Sequence, residues 1–288
     1  MNISLIGLGK MGQAIADCLL DSNCKITIYN RTIDKILPFK IKGAKVASSI
    51  LEAVNNADII ISCLFDDKSV LDVAEQMIKC MKTNAVHVGI TTVSEICADK
   101  LEKMHNDNNT MYISATVSGT PAVLRQKKAT TFLAGDKSKC DIVKTIVKFY
   151  SGKVIYVSRK PSHSNMAKII VNYLLVSSMS IFADTYTLCE KKGFDMETMQ
   201  EILHLMFPNH VMGIYIDKMK NKDFKNINFP MKTAMKDVVY AKELFESSNM
   251  YSSINQHVYT EMIEALNTGL ENKDWSYLYQ MKINKSMK

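Results

Sequence analysis

Lys168 and Asn172 stand four residues apart, a spacing that puts both side chains on one face of a helix, where a cation and an amide can act together. A lysine ammonium suits chemistry in which negative charge builds up on oxygen, because it neutralises that charge and delivers a proton. Partial burial or a nearby positive charge lowers its pKa from the usual value of about 10.4 and eases the transfer near neutral pH. Taken alone, a lysine near a helix start more often faces solvent. A second group lies at the other end of the chain. Gly7-Leu8-Gly9-Lys10-Met11-Gly12 follows a strand-like run and opens the helix-like Gln13-Ala14-Ile15-Ala16. This is GxGxxG in the context that gives it meaning. The first glycine permits the tight turn, the second lets a pyrophosphate approach the backbone, and the third lets helix and strand pack closely. The helix start then offers N–H groups to phosphate. A dinucleotide is the expected ligand.

The end of the second strand separates the two nicotinamide dinucleotides. NAD sites usually have Asp or Glu there for the ribose hydroxyl. This chain has Tyr29-Asn30-Arg31-Thr32. Asn30 brings no charge to repel a 2′-phosphate, Arg31 offers a planar fork to phosphate oxygens, and Thr32 adds a hydroxyl. The reading favours NADP (NADPH) over NAD; an Arg31 that merely faces solvent is the alternative.

The elements that must position these groups follow from periodicity. Strand-like runs at residues 2–6, 25–29, 57–63, 85–89, 111–117, 131–134 and 154–157 alternate with helical patterns at 11–20, 49–55 and 70–81. That alternation argues for a mainly parallel sheet covered by helices. The pattern changes at Lys160-Pro161-Ser162, where Ser162 or Ser164 can cap a helix that meets no breaker before Gly193. About 30 helical residues span about 45 Å, long enough to join two domains. Asp195 is a plausible cap for the next helix, and helices are read at Met196–Met206, 211–220, 232–247 and 253–268. The fold class expected is α/β: a doubly wound Rossmann domain at 1–161, then an all-helical domain at 162–288, joined by the long helix. The active site is expected in the cleft between them.

Composition bounds the rest. The chain has 288 residues, 47% of them hydrophobic, and a formal net charge of +7. Its lysines are spread without a like-charge block, which reads as a solvated basic surface rather than a nucleic-acid site. Seven scattered cysteines with no CxxC pair read as reduced thiols of a cytoplasmic protein, not as disulfides or a metal site. No export signal is visible in Met1-Asn2-Ile3-Ser4-Leu5-Ile6. The most apolar long segment, residues 166–183, carries Lys168, Asn172 and three serines, so no membrane span is expected.

Five pieces in chain order carry a more specific resemblance: residues 7–12, Thr91-Thr92-Val93-Ser94, Thr116-Val117-Ser118-Gly119-Thr120, residues 165–172 and residues 229–237. Over nearly its whole length the chain resembles the β-hydroxyacid dehydrogenase family, which includes 3-hydroxyisobutyrate dehydrogenase and the glyoxylate/succinic semialdehyde reductases. The resemblance implies NADPH-dependent reduction of a small carboxylate-bearing aldehyde or 2-oxo acid, or the reverse oxidation of a 3-hydroxyacid. It implies Lys168 as the proton donor and Asn172 as a residue that holds substrate or orients the lysine. Ser118, Gly119 and Thr120 would cradle the substrate carboxylate, and Phe229 would pack on substrate. Leu64, Phe65, Thr92 and Lys236 would line the cofactor, with Asp237 supporting the network. A homodimer through the helical domain is implied as well. The chain departs from the family on both sides of Ser118-Gly119-Thr120: Val123 and Lys127 replace glycines after it, and Ser114-Ala115-Thr116 replaces an Asp-Ala-Pro lead-in before it. Two rivals stand beside this reading: an imine reductase on the same scaffold, whose members commonly lack the lysine, and a catalytically silent NADP-binding module.

Overall fold

Apolar runs such as Ile59-Ile60-Ile61, buried at every position, suit strands covered on both faces. The structure is a computed structural model that describes residues 1–208 and 210–286. Its strands are β1 (Ile3–Ile6), β2 (Ile26–Tyr29), β3 (Lys45–Val46), β4 (Ile59–Ser62), β5 (Val86–Gly89), β6 (Met111–Ser118), β7 (Ala129–Ala134) and β8 (Ser151–Ser158). They form one sheet in the order β3-β2-β1-β4-β5-β6-β7-β8. Every neighbouring pair is parallel except β6 with β7. After β3 the chain crosses back to the far side of β1. The carboxyl ends of β1 and β4 therefore flank a switch point, the place where open α/β sheets take ligands. The fold is the doubly wound sheet with a helical second half that the sequence predicts.

The chain divides into two compact units, Met1–Lys168 and Ile169–Lys288. The sequence puts the boundary at residue 161, but the divide falls inside the helix Ser162–Lys192. The reason lies in its first turns, which are bonded to the sheet. Ser164 is not spent as a helix cap. Its hydroxyl donates to the Phe132 carbonyl at 2.8 Å and accepts from the Thr116 N–H at 3.1 Å.

The second unit packs the remainder of that helix and the helices Met196–Met206, His210–Lys220, Met231–Ser247, Ser253–Asn267 and Leu278–Ser286 around buried Met179, Phe182, Tyr186, Met231, Met262 and Trp275. Gly193 ends the long helix at φ +66, in the left-handed region that glycine enters at little cost. Asp195 caps the next one by accepting the Thr198 N–H at 2.8 Å.

Candidate active site

The turn after β1 is built by contacts that admit no side chain at two of its glycines. Gly7 has φ +99, and a Cβ there would lie 2.3 Å from the Cys63 carbonyl oxygen. A Cβ at Gly12 would lie 2.1 Å from the Gly7 carbonyl oxygen. Gly9 differs: apart from its two chain neighbours, no described residue has an atom within 4 Å of where its Cβ would be. Gly9 precedes the helix Lys10–Asp21, whose N-terminus has no side-chain cap. The open space and the uncapped helix start fit a pyrophosphate against the backbone. Cys63, buried beneath this turn, has its thiol pushed up to about 12 by burial and stays neutral.

Asn30 joins this turn to the end of β2. Its Oδ1 accepts the Leu8 N–H at 2.9 Å, and its Nδ2 donates to the Thr32 carbonyl at 2.9 Å. An aspartate could accept the first bond but not donate the second. The neutral amide is therefore built into the loop, next to the exposed Arg31 and Thr32. Leu8 is placed otherwise than as a ligand-facing residue. Its side chain is fully buried in the core and its N–H is taken by Asn30, which leaves Gly9 and Lys10 as the exposed residues of the turn. Lys10 is exposed, whereas Met11 packs partly against the core.

The loops after β4 and β5 are fastened together. The Leu64 N–H donates to Thr91 Oγ1 at 2.8 Å. Asp67 accepts the Ser94 N–H at 3.0 Å and its hydroxyl at 2.5 Å. Phe65 lies on this surface 53% exposed, and Thr92 is half-buried. The β5 loop is also bound to the first turns of the helix Ser162–Lys192. Asn165 Oδ1 accepts the Val93 N–H at 2.9 Å, and Asn165 Nδ2 donates to Ser114 Oγ at 2.9 Å. Lys168 follows within the same unit, 9% exposed.

Behind these loops runs a buried polar relay. Ser62 Oγ is 2.7 Å from His87 Nε2, His87 Nδ1 is 2.9 Å from His105 Nε2, and His105 Nδ1 is 2.8 Å from Thr110 Oγ1. Thr110 donates its only hydroxyl proton to the His105 carbonyl at 3.2 Å. That bond sets the direction of the chain: His105 Nδ1–H donates to Thr110, His87 Nδ1–H donates to His105, and Ser62 donates to His87. Burial holds the His105 imidazole down at about 4. Burial, then the neighbouring His105, holds His87 well below the usual range.

At the end of β6, Ser118 is half-buried and Gly119 is exposed with φ +152. Thr120 caps the short helix Pro121–Arg125, its hydroxyl accepting the Val123 N–H at 3.4 Å. That leaves the hydroxyl proton of Thr120 for another partner. Val123 packs partly against the core, and Lys127 stands in the left-handed region at φ +57.

The remaining residues belong to the second unit. Asn172 donates its amide to Asp237, and both are buried. Lys236 pairs with Asp237 at 3.0 Å and lies 4.7 Å from the Tyr240 ring centre. Phe229 meets Trp275 edge-on at 4.8 Å. It is held by Asp274, which accepts the Asn228 and Phe229 N–H groups at 2.7 and 3.1 Å.

Residues 2–158 match the family described as the NAD binding domain of 6-phosphogluconate dehydrogenase. The uncharacterized oxidoreductase YfjR of Bacillus subtilis is 27% identical over 96% of this chain and 98% of its own length. The chloroplastic glyoxylate/succinic semialdehyde reductase 2 of Arabidopsis thaliana is 26% identical over 96% of this chain and 78% of its own. The chain belongs to the β-hydroxyacid dehydrogenase family. Its fold is that of the 3-hydroxyisobutyrate dehydrogenase of Mycobacterium tuberculosis, solved with L-serine, at a TM-score of 0.89 and 18% identity over 97% of this chain and 98% of that one. As a member of this family, the protein is an oxidoreductase with an NAD(P)-binding domain. Sequence reasoning passed over Asn165, Thr91, Ser94 and Asp67. The first three lie inside the quoted motifs, and a polar residue within a strand-end loop or an apolar helix is the signal that marks them.

Proposed function

We propose that this protein reduces a small carboxylate-bearing aldehyde or 2-oxo acid at the expense of NADPH, with Lys168 as the proton donor. The observation that carries the reading is the burial of Lys168, 9% exposed, in a helix whose first turns are bonded to the β5 loop. When bound, the nicotinamide supplies hydride to the carbonyl carbon. Lys168 delivers a proton to the carbonyl oxygen as charge builds there. Asn172, its amide tied to Asp237, orients the substrate oxygen or the lysine. Ser118, the exposed Gly119 backbone and the Thr120 hydroxyl take the carboxylate. The same groups run in reverse serve 3-hydroxyacid oxidation. Glyoxylate and succinic semialdehyde head the substrate candidates, as the name of the Arabidopsis relative suggests.

NADPH is favoured over NADH because Asn30 brings no charge and Arg31 is exposed beside it. Phe65, Thr92 and Lys236 line the cofactor in this reading. A homodimer through the helical half is supported by Ile170, Leu174, Ile181 and Leu188, all exposed along one helix. That helix, Ser162–Lys192, is long and apolar enough to cross a membrane, with mean hydropathy 1.6 over its best window, but half of that window is buried in the protein. We therefore keep it in a cytoplasmic protein, with no membrane and no nucleic acid as partner.

The test is a panel of semialdehydes, 2-oxo acids and a cyclic imine, followed by loss of NADPH absorbance. Turnover of the carbonyl compounds is expected. Turnover of the imine alone replaces this reading with an imine reductase. A second reading, a silent NADP-binding module, is favoured by Val123 and Lys127 beside the proposed carboxylate cradle. NADPH binding with no turnover on the panel would establish it.

A further inference from the structure

Asn165, Lys168 and Asn172 fall at i, i+3 and i+7 along the helix Ser162–Lys192, and all three are buried. That is a polar stripe on a segment otherwise made of Met, Ala, Ile and Val. Two members already have roles in the proposed reaction; Asn165 has none. It is fully buried, and its amide is used at both ends, with Oδ1 on the Val93 N–H and Nδ2 on Ser114 Oγ, each at 2.9 Å. Val93 follows Thr92 in the β5 loop, and Ser114 pairs with Gly89 at the end of β5. One side chain therefore joins the first turns of the lysine-bearing helix to the loop that carries Thr92.

An apolar residue of the same size would fill the space but hold neither group. It would leave the buried Val93 N–H without its acceptor, a costly state. Ser164, the preceding residue, bonds to Thr116 and Phe132, farther along the sheet. Ser164 seats the helix on β6 and β7, whereas Asn165 reaches the β5 loop. Lys168 comes one helical turn after Asn165, so the bond to Val93 sets where the lysine backbone stands relative to that loop.

We propose that Asn165 is a positioning residue for the proton donor: its amide holds Lys168 in register with the β5 loop, which would line the nicotinamide when the cofactor is bound. The inference rests on the reading of Lys168 given above. Asn165 does not touch substrate. It acts through the placement of Lys168, and a displacement of about 1 Å of a reacting group can cost about 100-fold in rate.

The test compares Asn165→Ala, Ser114→Ala, the double variant and Lys168→Ala, using the substrate the panel identifies. Asn165→Ala should lower kcat by about 10- to 100-fold. Its Kd for NADPH, read by fluorescence, should stay within about threefold, because the amide lies outside the phosphate-binding turn. Hydride transfer should become slower than product release, so the isotope effect on kcat with 4-deuterated NADPH should rise. A merely structural role would lower Tm and leave the isotope effect unmoved. Ser114→Ala removes one of the two bonds and should give a smaller loss in the same direction. It serves alone if Asn165→Ala does not fold. The double variant should be little worse than Asn165→Ala, since both substitutions cut one link. An unchanged kcat and isotope effect in Asn165→Ala, or in Ser114→Ala where only that variant folds, beside an inactive Lys168→Ala, overturns this proposal alone. An active Lys168→Ala overturns the reading on which it rests.

Discussion

Acid should unfold this protein through two buried imidazoles, and the size of the effect follows from the relay Ser62–His87–His105–Thr110. In the unfolded chain each histidine takes up a proton near its ordinary pKa of 6.5, whereas folded His105 resists until about 4. Between those values the unfolded chain binds more protons than the folded one, so stability falls as pH drops from about 6.5 to about 4. The gap of roughly 2.5 units, at about 1.4 kcal/mol per unit, gives roughly 3 kcal/mol from His105 alone. His87 is shifted in the same direction and adds to it. Geometry explains why protonation is resisted beyond burial. His105 Nε2 already accepts the His87 Nδ1–H, so a proton added there would face another proton. Against a total stability typically about 5–15 kcal/mol, the loss is large. The assay is urea unfolding at about pH 7.5, 6 and 5, for the wild type and for His87→Gln/His105→Gln. The variant should be less stable at neutral pH, because the relay is broken. It should also lose less on acidification, because the titrating groups are gone. Equal losses for both proteins over that range would refute the reasoning.

Other outcomes follow from single positions. Gly9→Ala places its methyl in open space, so Tm should hold while NADPH affinity falls at least about 10-fold; Gly7→Ala meets the Cys63 carbonyl and should fail to fold. Calorimetry and fluorescence titration separate the two. Lys127→Gly relieves a left-handed backbone at φ +57 and should raise stability by about 1 kcal/mol, read from the urea midpoint. Arg31→Ala should weaken NADPH at least about 10-fold while NADH binding barely changes, since only the 2′-phosphate loses a partner. Equal weakening of both would remove Arg31 from that role.

Much of the fold was legible because its signals are local. Ile59-Ile60-Ile61 announces a strand covered on both faces, and Gly193 with Asp195 marks a helix stop and the next start. β3 was not legible: two residues beginning with an exposed lysine carry no periodicity. Nor does periodicity show strand direction, which is why the antiparallel pairing of β6 with β7 through Pro121–Arg125 goes unseen. In the site, motif spacing picks out the glycine turn and the face shared by Lys168 and Asn172. The hydrogen-bond partners are distant in sequence and escape such reasoning. Asn165 binds residues 72 and 51 positions away, and Asn172 binds Asp237 across 65. Asn30 was read through the charge it lacks. Its larger part, bracing Leu8 and Thr32, depends on a contact across 22 residues.

The most direct measurement is single-turnover oxidation of bound NADPH by Lys168→Ala with the best substrate of the panel. We expect NADPH to bind with near wild-type affinity and hydride transfer to slow by at least about 100-fold, as loss of a general acid demands. Transfer at the wild-type rate would contradict the account.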